Sequence, residues 1–424
     1  MVETALPSTP AGWRAQARGA SMGARAWFSL ITGVVIVLCF GLGARPDARF
    51  QLSGFGAALS LPDLVVPVRP VAVVCGVLAI LGAGYLALRD PTRRRATWAL
   101  AVVVACFVAS FLCWAVAGRS MSLAGLMGAT AVGSLPLLLG ALAGVMCERA
   151  GVINVAIEAQ FILGAFAASV FGSLGGIWIG MASGSLAGGL VGSLLGVCAI
   201  RYLADQVVVG IVLTLLVQGL TGFLLIRVVI PNAETLHAPD VMGDVRIPWL
   251  ADIPVVGEAL FDQTVIWYLA IAMLVVIQVA LFRTRWGLRV QAVGENPDAA
   301  ESAGIDVRRV RYHNVLLGGL IAGLGGTFLT IGSVGQFAPG ISAGKGFIAL
   351  AAVIFGGWRP LAAFGAALLF GLADATQSIL SVIGSPIPSE VLQIFPYLVT
   401  ILALAGLVGR VRPPAADGKP FVRA

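Results

Sequence analysis

The chain reads as an all-α, polytopic membrane helical bundle of about 10–12 transmembrane segments, and three observations carry that reading. Of the 424 residues 59% are hydrophobic and only 11% charged, with a mean hydropathy of +0.98, which excludes a soluble globule built on a single core. Apolar runs of about membrane-spanning length recur from end to end. The basic residues behind the net charge of +7 sit in short connections between those runs, so they report topology and not nucleic-acid binding.

Residues 1–26 are polar, with Arg14, Arg18 and Arg25 ahead of the first apolar run. The apolar segments that follow make a retained first span the expectation over a cleaved signal peptide. These segments fall near 27–43, 70–88, 97–117, 126–147, 156–174, 176–200, 206–230, 263–282, 312–334, 346–357, 361–384 and 391–409. If each crosses once, the arginine clusters at 14–25, 89–95, 283–289, 308–311 and 410–412 share one face, which the positive-inside rule makes cytoplasmic. The segment 231–262 holds Glu234, Asp240, Asp244, Asp252, Glu258 and Asp262 against the lone Arg246, as an outer loop should. Both termini are therefore expected inside, and residues 412–424 form a cytoplasmic tail.

Two elements depart from plain spans. A glycine recurs every fourth residue at Gly172, Gly176, Gly180, Gly184, Gly188, Gly192 and Gly196, giving overlapping small-residue contacts on a central helix. Four residues advance about 400° around a helix, so this ridge drifts and its portions meet different neighbours. The segment 346–357 is too short to span and follows the Gly-rich text GQFAPGISAGKG. A half-helix or re-entrant piece is expected there, and such elements persist only where protein or a water-filled cavity satisfies the backbone.

The polar interruption Arg283–Arg311 carries six arginines and four carboxylates between long apolar runs. Within it Asn296 suits an N-cap, Pro297 the first helical position, Asp298 and Glu301 the positive end, and Gly304 the left-handed stop. The result is one helix of about two turns, too short to be stable alone. Its small face of Ala299, Ala300 and Ala303 would then dock into a groove on a partner; an ordinary connecting loop is the plainer alternative.

Polar groups inside apolar text are costly and mark sites. Glu148 and Arg149 lie near an interface, as a boundary pair would. Asn154 and Glu158 are four residues apart, on one face if the segment is helical, and together they either contact a polar ligand or hold a helix break; Gln160 follows them as a further candidate for the substrate path. Gln218 lies in mid-span, and Asp374 and Gln377 one turn apart; these three form interhelical hydrogen bonds or line a substrate route. Cys39, Cys75, Cys106, Cys113, Cys147 and Cys198 show neither metal-ligand nor disulfide spacing, and His237 and His313 are isolated. No metal site or catalytic cluster is expected. The sequence has no GxxxxGK[ST] phosphate loop, so any ATP and Mg belong to another chain.

Four stretches then become specific: ERAGVINVAIEAQFILGAF, QVVVGIVLTLL, GENPDAAESAGIDVRRVRY, and GKGFIALAAVIFGGWRP with GLADATQ. In this order they closely resemble the permease subunits of bacterial ABC importers of the branched-chain amino acid, ribose and nucleoside group, nearest its simple-sugar and nucleoside branch. The resemblance covers roughly 121–411 and implies the ABC importer permease fold for this core. Residues 1–120, with about three transmembrane segments, form an N-terminal extension, and Ala159 stands where relatives usually carry Gly. The resemblance further implies a multi-pass subunit of the inner (plasma) membrane that forms the translocation path. Its partners would be a cytoplasmic ABC ATPase subunit, a second homologous permease subunit and an external substrate-binding lipoprotein, with a small polar solute carried and no nucleic acid bound. Asn296 to Gly304 takes the role of the ATPase coupling helix within the coupling loop 283–311.

Nucleosides or related simple sugars suit a path lined by Asn154, Gln160, Gln218 and Gln377 with few fixed charges. A branched-chain amino acid permease is the near alternative, because half-helix ends can hold a zwitterion. An ion-coupled secondary transporter, from a different class, would need Glu158 or Asp374 as a titrating carrier. An enzyme is not expected.

Overall fold

The structure, a computed structural model, describes residues 23–42, 46–52, 62–88, 92–384, 388, 390–394 and 412–422. Most of the expected segment 391–409 lies outside these residues, as do Arg14 and Arg18, residues 89–91 and residues 410–411. Among the described residues nine helices are long and apolar enough to cross a membrane, and Arg25–Gly41 and Lys345–Phe355 are shorter apolar helices. The chain divides into two compact units, residues 1–49 with 65–120, and residues 50–64 with 121–424.

In the first unit α1 (Ala24–Val35) runs on through a π-helical turn (Ile36–Gly41) and packs with α2 (Val68–Leu88) and α3 (Arg93–Ala115). Helices α1 and α2 meet at glycines: a Cβ on Gly33 would stand 2.9 Å from the Gly76 carbonyl oxygen. Phe40, Phe107, Phe111 and Trp114 gather with ring centroids 5.4 to 6.4 Å apart. Val74, Val77, Leu78 and Leu81 leave an apolar outer face on α2, suited to lipid.

The second unit is organised around two buried helices, α4 (Leu123–Arg149) and the later α11 (Val307–Leu329, continuing to Val334). Between them in sequence come α5 (Ile157–Gly175), α6 (Ile177–Gly196), α7 (Gln206–Leu224), α8 (Val265–Arg283), α9 (Arg285–Glu295) and α10 (Pro297–Ser302); α12 (Lys345–Phe355) and α13 (Pro360–Val382) follow. The acidic segment 231–262 closes as a two-stranded antiparallel ribbon that pairs Val245 with Gln263.

The glycine repeat does not lie on one helix. Gly176 takes φ +82° and separates α5 from α6, so Gly172 closes one helix while Gly180 to Gly196 belong to the next. Along α6 the neighbours change as the geometry requires. A Cβ on Gly180 would stand 2.8 Å from the Ala168 carbonyl of α5, and one on Gly192 2.8 Å from the Val315 carbonyl of α11. Helix α6 is thus wedged between α5 and α11 at backbone distance, which only residues without side chains permit.

Sequence reading also found one helix too few between 283 and 311. Residues 285–295 are helical, capped by the Thr284 hydroxyl, which accepts from Gly287 N–H at 3.2 Å. Gly287, Val290 and Val293 face inward while Arg285 and Arg289 stay exposed, so the arginines mask an amphipathic period. Arg308, Arg309 and Arg311 belong to the first turns of α11 and not to a loop.

Helix α12 is short, as expected. Eleven residues reach about 16 Å at 1.5 Å each, about half of a bilayer core. The chain before it reverses through Gly335, Gly340, Ala343 and Gly344, all with positive φ. Gly140 and Gly144 of α4 receive Ala349 and Val353, where a Cβ would come within 2.7 Å of each side chain.

Candidate functional site

Helix α4 ends at Arg149, and the chain runs without helix through Gly151–Val155 before α5 begins at Ile157. Asn154 lies in this break, so it does not share a helix face with Glu158. Its side chain is fully buried and pairs with Gln160: Asn154 Nδ2 donates to Gln160 Oε1 at 3.1 Å, and Gln160 Nε2 donates back at 3.3 Å. The two amides satisfy one another across the break, so Asn154 has Gln160 as its partner and not Glu158. Cys147 Sγ accepts from Asn154 at 3.5 Å and donates to the Asn314 carbonyl at 3.7 Å.

Glu158 is 2% exposed. Its Oε1 accepts from Ser342 Oγ at 2.6 Å and from Gly344 N–H at 3.1 Å, and its Oε2 accepts from Gly346 N–H at 2.7 Å. The carboxylate therefore caps α12 from a neighbouring helix, placing negative charge on the orphan N–H groups where the helix dipole favours it. Gly346 is required: a Cβ there would stand 2.5 Å from the Glu158 backbone nitrogen. On the other side Lys345 Nζ pairs with Asp374 Oδ2 of α13 at 3.1 Å. Glu158 and Asp374, unrelated in sequence, thus hold the same helix end. Lys345 and Ser342 were missed. Lys345 had a signal, since the chain contains only two lysines, Lys345 and Lys419, and one lies in apolar text.

The other two candidates stand apart. Gln218 is exposed on α7, and Gln377 is half-buried on α13, its carbonyl accepting from Ser381 Oγ at 2.9 Å. Glu148 and Arg149 do not form a boundary pair with each other. Both grip Trp358, whose indole N–H donates to Glu148 and whose carbonyl accepts from Arg149 Nε at 2.9 Å, while the guanidinium sits 5.4 Å from the Phe282 ring centroid. Among the described residues no three His, Cys, Asp or Glu side chains come together as metal ligands would.

The segment 296–304 has the expected caps. Asn296 Oδ1 accepts from Ala299 N–H at 3.1 Å, Pro297 takes the first position, Asp298 the first turn, and Gly304 stops the helix at φ +81°. Its small face is divided differently from the expectation. Ala299 and Ala303 are exposed, but Ala300 is 3% exposed and packs with Val293, Val307 and Phe421 of its own chain. Ala300 lies about 100° around the helix from Ala299, and the chain itself covers that side. The outward face is Asp298, Ala299, Ser302 and Ala303.

Residues 412–422, read as a tail, are docked against this segment. Ala416 N–H donates to the Gly294 carbonyl at 2.9 Å, Ala415 N–H to Glu295 Oε2 at 3.2 Å, and Arg311 Nη1 to the Lys419 carbonyl at 3.0 Å. Burial pushes the Asp417 carboxyl up to about 7 against the opposing pull of Gly418 N–H and the Arg311 guanidinium.

Residues 126–404 match the family described as "Branched-chain amino acid transport system / permease component". The chain is 39% identical over 311 residues to the guanosine ABC transporter permease protein NupQ of Bacillus subtilis (strain 168), covering 70% of this chain and 95% of that protein. It is 38% identical over 305 residues to the nucleoside ABC transporter permease protein NupC of Lactococcus lactis subsp. cremoris, covering 69% and 94%. It is 33% identical over 306 residues to the putative glucose ABC transporter permease protein TsgC13 of Haloferax volcanii, covering 68% and 92%. No solved structure matches the chain. A buried helical core with a broken α4–α5 junction and a capped half-helix, together with this extent of likeness, makes the chain a member of the branched-chain amino acid transport system permease family, a multi-pass membrane protein.

Proposed function

We propose that this chain is the permease subunit of an ATP-driven importer for nucleosides or related simple sugars. Among the geometric features, the engagement of α12 carries the reading. Gly344 and Gly346 N–H at its positive end are occupied by Glu158, so that end offers no vacancy for the carboxylate of an amino acid. The Lys345–Asp374 pair leaves no unpaired charge beside that end, which favours a neutral, hydroxyl-rich solute. Likeness over 95% of a guanosine permease supports the same class.

In this reading the second unit lines the path, residues 1–120 are an added membrane extension, and the arginine-rich end at 283–311 faces the cytoplasm with both termini. A separate ABC ATPase binds ATP and Mg and engages the outward face of α10, a second homologous permease completes the path, and an external lipoprotein delivers substrate. Glu158 and Asp374 are both engaged by donors, which disfavours the ion-coupled alternative. The test is uptake in vesicles carrying the complex of this chain with its ATPase and second permease, supplied with the substrate-binding lipoprotein. Labelled guanosine should enter when ATP is supplied and persist with a protonophore, while leucine should not compete. Uptake that a protonophore abolishes at constant ATP, or leucine as the transported solute, would overturn the proposal.

A further inference from the structure

Helix α10 has six residues and is too short to hold its own orientation. Its only buried side chain is Ala300, and the largest group against Ala300 is the Phe421 ring, itself 6% exposed. Phe421 is held in turn by an anchor around Arg311, which is 1% exposed and donates to the Lys419 carbonyl. Two bonds from its backbone N–H groups fix the segment to the end of α9, where the Gly294 carbonyl and the Glu295 side-chain Oε2 accept from Ala416 and Ala415 N–H. The same segment meets the break after α4. A Cβ on Gly151 would stand 3.1 Å from the Ala416 carbonyl, and one on Gly418 2.7 Å from Ile153 Cδ1. Phe421 also walls a hollow of about 200 Å³ with Glu301, Ile305 and Arg308, so it shapes the surface beside the helix.

We infer that residues 412–422 are the seat of α10: Phe421 is a positioning residue that sets the helix against α9 and α11, and the Arg311–Lys419 bond anchors it. The role of α10 in engaging an ATPase rests on the function proposed above; the seat itself does not. Through Gly151 and Ile153 the segment also joins the coupling end to the break that holds Asn154, so a push on α10 reaches the α4–α5 junction through the chain's own C-terminal segment.

The test uses the full complex, with Phe421→Ala, Phe421→Leu and a truncation after Val411. Backbone amide exchange over 297–304 should quicken by about tenfold or more in Phe421→Ala and in the truncation, with near-normal rates in Phe421→Leu. Uptake per ATP hydrolysed should fall in the first two and recover in the third, and a synthetic peptide of residues 412–424 should slow exchange again in the truncated protein. Unchanged exchange over 297–304 in both Phe421→Ala and the truncation would overturn the seat. Ala299→Arg on the outward face separates the two ideas: if it transports normally while Phe421→Ala only quickens exchange, the coupling role is lost and the seat serves folding alone.

Discussion

Substituting Glu158 separates the three roles a buried membrane carboxylate can have: helix cap, substrate ligand or proton carrier. Its two oxygens accept three hydrogen bonds, from Ser342, Gly344 and Gly346. In Glu158→Gln the amide oxygen can keep Ser342 and Gly344, while the new NH2 faces the Gly346 N–H, donor against donor. Losing one charge-assisted bond and leaving a buried donor unpaired costs about 2–3 kcal/mol, enough to shift the seating of α12 by roughly 30- to 150-fold. Glu158→Ala strands both N–H groups, at a cost on the order of 4 kcal/mol or more. In reconstituted vesicles Glu158→Gln should keep measurable uptake with KM within about threefold of the parent, since no substrate contact is lost, and Vmax and Tm should both fall. Glu158→Ala should be far worse in both. A large rise in KM at unchanged Tm would make Glu158 a ligand and refute the cap. Parent uptake that collapses with the proton gradient, with Glu158→Gln insensitive to it, would make Glu158 the carrier.

Three further outcomes follow from the geometry. Ala300→Arg should unseat α10, because it drives a charge into the contact with Val293, Val307 and Phe421; limited proteolysis should then cut within 297–304, whereas Ala299→Arg should resist the protease yet fail to stimulate ATP hydrolysis. Gly188→Ala should lower Tm and membrane yield by forcing α6 from α11, since its Cβ would overlap the Gly319 carbonyl and Gly323, at a cost of about 1–3 kcal/mol. The Asp417 carboxyl sits at about 7 in the docked segment, up from 3.8, so its protonated form favours docking: the contribution is full below about pH 4 and is lost as pH rises through about 7. From pH 6 to pH 8 the undocked fraction, read by amide exchange at 415–422, should rise by up to about tenfold, and Asp417→Asn should flatten that rise.

Spans and caps were legible because both are local. Hydropathy over a window fixed α4 to α8 and α13 within a few residues, and Asn296, Pro297 and Gly304 stand at the cap, first position and stop of α10 because each acts on its own backbone. Hydropathy divides the apolar text at 174–176, but the glycine repeat reads straight across that division as one helix: within a run of small residues, a glycine that turns the chain carries the same letter as one that packs a helix. Helix α9 was hidden because Arg285 and Arg289 dominate its average while Gly287, Val290 and Val293 carry the period. The direction of Ala300 could not be read at all, since it depends on Phe421, more than a hundred residues away in sequence. Glu158 shows the same limit. Its cost in an apolar segment marked it as important, but its partners at 342, 344 and 346 belong to another element, and distance in sequence hides them.

The two irregular stretches of the core have a common physical origin. Backbone that leaves the helix in apolar surroundings must have its polar groups satisfied by protein, and here one turn of α5 supplies both sides. Gln160 locks Asn154 in the break before α5, and Glu158, two residues earlier on the same helix, locks the reversal before α12. The break and the half-helix are therefore not independent joints. Moving α12 alone would strip Gly344 and Gly346 N–H of their acceptor and part Lys345 from Asp374, while moving α5 alone would strand the same carboxylate. Any motion that keeps these bonds must carry the first turn of α5, α12 and the middle of α13 together; Gly151, Gly335, Gly340 and Gly344, which flank these pieces, hold positive φ. Gly151 faces Arg311 and the Ala416 carbonyl, so the break before α5 lies against residues 412–422 as well.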